Sequence, residues 1–367
     1  MKKFLAMVLT AAMAFSLVAC GGSSNASSAA SEGSTSGSKT DVAFVTDVGN
    51  IDDQSFNQYT WQGVKDFCAA NNLNANYYRP TEDSDSARLE QMDNAVNDGA
   101  KAIVVAGYLF GSSIAEAQTK YPDVQFLALD VSAFDLGDST AAANTALITY
   151  REEQAGYLAG YGAVKDGYTK LGFLGGIAVP AVIRYGFGYI QGINAAAEEM
   201  GVDVSVKYFY GGQFSGDEKI TARMEGWYAD GTEIVFACGG GIYTSAVEAA
   251  GQYDGKVIGV DVDQKPIIGD CCVTSAMKGL HAAVYDALDA YFTGNWSSLS
   301  GKSEQLGLTQ GDYIGLPTDD ASWGFTTFTK DEYNTVLEGI KNGSIAVSND
   351  IENNPEVGSH VSVDYVQ

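Results

Sequence analysis

The chain has 367 residues, 46% of them hydrophobic, and a net charge of −25. That length suits two domains rather than one, with enough apolar content to bury a large core. The acidic balance excludes nucleic acid or an anionic lipid surface as the main partner, because phosphate binding needs clustered Lys and Arg.

The first element, residues 1–19, has the layout of an export signal: a basic "MKK" followed by the apolar run "FLAMVLTAAMAFSLVA". The run is too short to trust as a membrane span, which needs about 20 apolar residues. Its end, Leu17-Val18-Ala19-Cys20, resembles a bacterial lipobox, in which the Cys becomes the lipidated first residue of the mature chain. Residues 20–40, with "GGSSNASSAASEGSTSGSK", form a Gly/Ser-rich tether that cannot build a core. Anchor, tether and body together describe a protein held at the extracytoplasmic face of the cell membrane through a lipid at Cys20.

From Asp41 onward, short apolar runs alternate with helical stretches. "VAFVT" precedes "SFNQYTWQGVKDFCAAN", "ANYYR" precedes "DSARLEQMDNAVNDG", "KAIVVAG" precedes "SSIAEAQTKYP", and "VQFLALD" closes the series. Leu89, Met92 and Val96 share one face of the second helix. The pattern restarts with "NTALITY" and "REEQAGYLAGYGAVKDG". It continues through "TKLGFLGG", "VSVKYFYGG" and "EIVFACGG", each followed by a helical stretch, and "KVIGVDVDQ" closes it. Continuous apolar strands with helical crossovers are the mark of buried parallel sheets, and two such series predict two doubly wound lobes. After these come "VTSAMK", the helix "GLHAAVYDALDAYFTG" and a tail with "YIGLP" and "WGFTTFT". A tail that returns to both lobes makes a multi-crossover hinge. The expected division is 41–148 plus 272–310 for the N-terminal lobe and 149–271 plus 311–367 for the C-terminal lobe.

Ligands of open α/β sheets sit beyond the carboxyl ends of the strands. Those ends carry Asp47 with Phe56 and Asn57, then Asp130, Gly175, Cys238 with Gly239, Asp261 and Lys278. Carboxylates accept hydrogen bonds from sugar hydroxyls and ring N–H groups, an aromatic stacks on a flat ring, and glycines admit close backbone approach. The set suits a neutral polar ligand and disfavours a phosphate. Lys278 can balance a buried carboxylate or donate to a hydroxyl.

Catalytic motifs are weak. "GGG" at 239–241 lacks the Lys-Ser/Thr of a phosphate-binding loop, there is no Gly-x-Ser-x-Gly elbow, and the two histidines, His281 and His360, have no evident nucleophile partner. Asp52 and Asp53 resemble the last pair of the calcium-binding motif of nucleoside hydrolases, but Thr46 and Val48 stand where its earlier acids belong. Asp52 and Asp53 also suit a helix start. No metal, no cofactor and no covalent chemistry are expected. Cys68, Cys238, Cys271 and Cys272 have no zinc spacing and are expected as buried thiols, a bridge from Cys238 to one of the adjacent pair remaining open.

In order and spacing, "DVGNIDDQSFNQYTWQG", "LALD", "EEQAGYLAGYGA", "GFLGG…VIRYGFGYIQG", "GVDVDQ" and "TSAMK" make the chain resemble the basic membrane protein family of substrate-binding lipoproteins of ABC importers. The resemblance implies a type I periplasmic-binding-protein fold, a purine nucleoside ligand, and permease and ATPase partners. It implies that Asp47 and Asn57 hold the ligand, Phe56 stacks on the base, Asp130 takes a hydrogen bond from the base edge, and Asp261 binds ribose with Lys278 beside it. A second stacking aromatic is expected from the other lobe, with Phe236 and Tyr243 as candidates. "ACGGGIYTS" departs from the family's usual run there. A sugar receptor on the same scaffold, an anchored nucleoside hydrolase and a surface signalling receptor are the alternatives.

Overall fold

The computed structural model describes residues 39–47 and 49–366. The expected signal segment, Cys20 and all but the end of the tether lie outside the described residues. In chain order the first elements are β1 (Val42–Val45), α1 (Phe56–Asn71), β2 (Ala75–Tyr78), α2 (Asp85–Asn97), β3 (Ala102–Ala106), α3 (Gly111–Lys120), β4 (Gln125–Leu129) and β5 (Thr145–Tyr150). Next come α4 (Glu152–Lys165), β6 (Lys170–Gly175), α5 (Pro180–Met200), β7 (Val204–Tyr210), α6 (Glu218–Ala229), β8 (Ile234–Cys238), α7 (Tyr243–Tyr253) and β9 (Lys256–Asp261). The chain continues with α8 (Lys265–Ile268), β10 (Cys272–Lys278), α9 (Leu280–Phe292), β11 (Lys302–Leu306), β12 (Ile314–Gly315), α10 (Lys330–Lys341) and β13 (Val361–Tyr365).

Two sheets result. The first has six strands in the order β11-β5-β4-β3-β1-β2, parallel throughout. The second has seven, β12-β10-β9-β8-β6-β7-β13, parallel except where β12 meets β10. This is the doubly wound, two-lobed arrangement of the type I periplasmic-binding-protein fold. The strands read as unbroken apolar runs because both faces are covered. In β1, Val42 and Phe44 pack with Val64 and Phe67 of α1, while Ala43 and Val45 pack on the opposite side with Met92 of α2 and Ile114 of α3. The period-two alternation of a strand thus feeds two cores at once.

The chain passes between the lobes at three places. Tyr150 ends β5 in the first sheet and Glu152 begins α4, which packs against α5 and β10 of the second lobe. Lys278 ends β10 in the second sheet, and α9 then packs on α1 in the first lobe. The third pass runs from β11 to β12. Two expected boundaries are corrected. The segment 272–278 was expected in the N-terminal lobe, but it pairs in parallel with β9 from Cys272 to Met277, so the crossover falls after Lys278. Likewise 149–150 completes β5 in the first sheet.

Helices α4 and α5 hold the hinge region rigid from the second lobe. Gly156 and Gly160 of α4 face Gly188 and Gly192 of α5, and a methyl group on any of the four would overlap a backbone oxygen of the opposite helix. Only glycine permits so close an approach. The contact fixes Glu152 and Glu153 at the start of one helix against Arg184 and Tyr185 of the other.

Candidate functional site

The first loop is organised by its acids. Asp53 accepts backbone hydrogen bonds from Ser55 (2.9 Å), Asn57 (2.9 Å) and Gln58 (3.1 Å), satisfying amides that the first turn of α1 leaves unpaired. Asp52 is exposed. Asp47 is buried and accepts from the Gly49 amide at 2.7 Å and from Asn57 Nδ2 at 2.8 Å. Burial pushes its carboxyl up to about 6, against the lowering effect of those two bonds. Asn57 Oδ1 is buried with no hydrogen-bond partner. The loop therefore contributes one helix cap and one carboxylate–amide pair. Among the described residues, no cluster of three or more His, Cys, Asp or Glu side chains is arranged to hold a metal.

Two further carboxylates come from strand ends. Asp130 follows β4 and Asp261 ends β9, both with left-handed backbones at φ 55° and 67°. Asp tolerates this region better than most residues, yet it is sparsely populated and tends to mark functional turns. Both acids meet at Lys278. Its Nζ lies 2.6 Å from Asp130, 3.5 Å from Glu152 and 3.7 Å from Asp261. Burial opposes the charge on Lys278, but Asp130, Asp261 and Glu152 outweigh it and hold the ammonium above the ordinary lysine range. Glu152 also accepts from Arg184 Nε at 2.6 Å; burial nonetheless raises its carboxyl above the usual range, against Arg184 and Lys278. Burial raises Asp261 likewise, against Lys278 and Ser55.

Several of these bonds join the lobes. Ser55 Oγ donates to Asp261 Oδ2 at 2.5 Å, Gln264 Nε2 donates to the Gln54 carbonyl at 3.1 Å, and Lys278 reaches Asp130 from the opposite sheet.

Between the lobes lies a cavity of about 740 Å³, counting its open mouth. Of the sequence-predicted residues, Asp47, Phe56, Asn57, Asp130, Gly239, Asp261 and Lys278 all line it. Phe56 lies against Lys278, whose Nζ is 4.7 Å from its ring centre. Gly175 and Phe236 are not among the lining residues. Gly175 sits within β6 where a side chain would meet the Tyr210 ring, and its carbonyl accepts from Gly211. Phe236 is fully buried in β8 among Phe173, Tyr185 and Tyr189. The β8 residue that reaches the cavity is Cys238, two positions later on the same strand face. Tyr243 starts α7 and does not line the cavity either.

The second lobe instead supplies Phe214 and Tyr185, and Tyr108 joins from the first. Phe214 follows β7, a strand end of the second series left off the list of ligand positions. Its ring packs where side chains on Gly176 and Gly239 would stand, and its carbonyl accepts from Gly241. Gly239, at φ 144°, thus makes room for this aromatic. Tyr185 was visible in "VIRYGFG", but helical periodicity there does not distinguish a cavity wall from core. The four other cysteines are free thiols, Cys271 partly exposed and the rest buried.

Residues 40–349 match the family described as "ABC transporter substrate-binding protein PnrA-like". The chain belongs to this family. It is 29% identical over 240 residues to the ABC transporter nucleoside-binding protein BmpA of Lactococcus lactis subsp. cremoris, covering 62% of this chain and 66% of that one. It is 27% identical over 290 residues to basic membrane protein B of Borreliella burgdorferi, covering 77% and 82%. Among solved structures, an ABC transporter solute-binding protein from Aeropyrum pernix superposes with TM-score 0.73 at 20% identity, covering 85% of this chain and 94% of that one. At that identity the likeness speaks for the fold alone. Membership of an ABC transporter substrate-binding family implies a small-molecule ligand and permease and ATPase partners, and the Lactococcus relative is named as a binding protein.

Proposed function

We propose that this substrate-binding protein captures a purine nucleoside (guanosine, adenosine or inosine) between its lobes and delivers it to the permease. The carrying observation is the composition of the cavity. Four aromatic rings, Phe56, Tyr108, Tyr185 and Phe214, line it with Asp47, Asp130 and Asp261, and Lys278 is the single lining cation among the described residues. Rings of this kind stack on a flat base. Asp130 has one oxygen on Lys278 and its other, Oδ1, buried without a partner, an acceptor available to a base N–H. Asp261 and Lys278 offer an acceptor and a donor to vicinal ribose hydroxyls, and Asp47 with Asn57 a further pair. The excess of carboxylates disfavours nucleotides, whose phosphates would meet four acids, Asp47, Asp53, Asp130 and Asp261, against one lysine. The nucleoside-binding name of the Lactococcus relative favours the same reading.

Binding is a closure. The three inter-lobe passes act as a hinge, and the Ser55–Asp261 and Gln264–Gln54 bonds belong to the closed state. No bond in the ligand is broken: Lys278 stays charged, Asp53 is consumed as a cap, and the cavity presents no activated nucleophile. The export signal over 1–19 and the lipobox at Leu17–Cys20 support attachment through Cys20, with the body outside the cell membrane.

The test is thermal unfolding with candidate ligands. Ligand-linked stabilisation is RT ln(1 + [L]/Kd), about 2.7 kcal/mol at a hundredfold excess over Kd. Guanosine, adenosine and inosine raise the midpoint, whereas ribose and glucose leave it unchanged. A response to the sugars instead would mark a sugar receptor, and release of free base on incubation would mark a hydrolase.

A further inference from the structure

Buried polar atoms nearly always have a partner, so each exception asks for an explanation. Tyr185 is such an exception. Its side chain is almost wholly buried, it lines the cavity, and its hydroxyl makes no hydrogen bond. The ring lies 5.8 Å from Lys278 Nζ and packs edge-on against Phe236. The charged or polar groups closest in electrostatic effect are Asp261, Glu152, Cys238 and Asp130, yet none accepts its proton. Asp261 is held by Ser55 and Lys278, Glu152 by Arg184 and Lys278, and Asp130 Oδ2 by Lys278, while Asp130 Oδ1 has no partner and does not reach the phenol.

Burial raises the phenol well above its ordinary range, so it remains a neutral donor at any physiological pH. A neutral donor that no protein acceptor takes, on a cavity wall, is complementary to an oxygen that arrives with the ligand. Phenylalanine would fill the same space and make the same ring contacts without leaving an unpaired hydroxyl. The hydroxyl is thus a cost in the empty protein that the bound state can recover.

We propose that Tyr185 is a specificity-determining residue whose hydroxyl donates to a ribose hydroxyl oxygen of the nucleoside, beside Asp261 and Lys278. This deepens the nucleoside reading and rests on it. Tyr189, one helical turn along α5, supplies an internal control. Its hydroxyl is also buried and unpartnered, but it does not line the cavity.

The experiment measures inosine binding by titration calorimetry and ligand-free thermal midpoints for the full chain, Y185F and Y189F. Both variants remove an unpaired buried hydroxyl, so both raise the ligand-free midpoint, by about 2 °C. Only Y185F weakens inosine, by about fivefold, the size of one neutral hydrogen bond; Y189F binds inosine as the parent does. With 2′-deoxy-, 3′-deoxy- and 5′-deoxyinosine, the fivefold difference between parent and Y185F disappears for the one analogue that lacks the contacted oxygen. Equal inosine affinity in parent and Y185F overturns the proposal while leaving the nucleoside reading standing. A penalty that persists across all three deoxy analogues overturns the ribose assignment. A parent chain that binds no nucleoside overturns both.

Discussion

Lys278 is the most consequential single side chain in the site, and Lys278→Met isolates what it does. Its ammonium is buried and lies within 3.7 Å of Asp130, Glu152 and Asp261. Methionine preserves much of the volume but leaves three carboxylates with only Arg184 nearby. Removing one partner of a buried ion pair costs about 3–5 kcal/mol, because the uncompensated charge stays behind. Against a total of about 5–15 kcal/mol for a typical domain this is a large fraction. The loss also acquires a pH dependence. Burial already raises the carboxyls of Asp261 and Glu152 with the cation in place, and losing Lys278, which lowers both, raises them further above their unfolded values. Such groups contribute most to stability below the unfolded pKa, and that contribution is lost as pH rises through the folded pKa. The deficit of the variant relative to the parent is therefore largest at pH 7.5 and shrinks toward pH 5. Urea unfolding at the two pH values measures it. A deficit below about 1 kcal/mol, or one equal at both pH values, would refute the electrostatic reasoning, since exposed ion pairs give values of that size.

Other outcomes follow from neighbouring features. Glu153 is fully buried with neither carboxylate oxygen hydrogen-bonded, and burial with Glu152 beside it pushes its carboxyl up to about 7. Its stabilising contribution is complete below the unfolded pKa and lost as pH rises through about 7. The stability of E153Q relative to the parent should thus increase between pH 5 and pH 8 by on the order of 3 kcal/mol, measured by urea unfolding. Phe214→Ala should weaken inosine about tenfold or more in calorimetry, at about 1–3 kcal/mol per stacked base, with little change in ligand-free stability. Phe236→Ala should do the reverse, lowering ligand-free stability by about 3–5 kcal/mol, as expected of a core aromatic. Gly188→Ala forces a methyl into the Glu153 backbone oxygen and should cost about 1–3 kcal/mol or more, read as a fall in the thermal midpoint.

Much of the architecture was legible because buried parallel strands advertise themselves. "VAFV", "AIVVA" and "IVFAC" are unbroken apolar runs, and each proved to be a central strand. The acids at strand ends could be found because open α/β sheets place ligands there, and Asp47, Asp130, Asp261 and Lys278 converge on one cavity from both lobes. Two kinds of information were not local. Which of two residues two positions apart near a strand end lies in the core depends on where the sheet stops: Phe236, expected at the cavity wall, lies in the core, and Cys238 is the β8 residue that lines the cavity. Where the chain leaves one lobe for the other depends on strand pairing across long separations. "TSAMK" looks the same whether it ends in the first sheet or the second, and only its register with β9 decides. Phe214 escaped notice because it lies past a strand on a Gly-rich loop, where periodicity carries no signal. Its position becomes intelligible only once Gly176 and Gly239 are seen to leave space for the ring.

A crystal structure of the protein grown with inosine addresses the central claim most directly. Density for the nucleoside should fill the inter-lobe cavity, with the purine against Phe56 and Phe214 and the ribose hydroxyls on Asp261 and Lys278. A cavity left without nucleoside at saturating inosine, or density for a different class of solute retained there, would contradict the account.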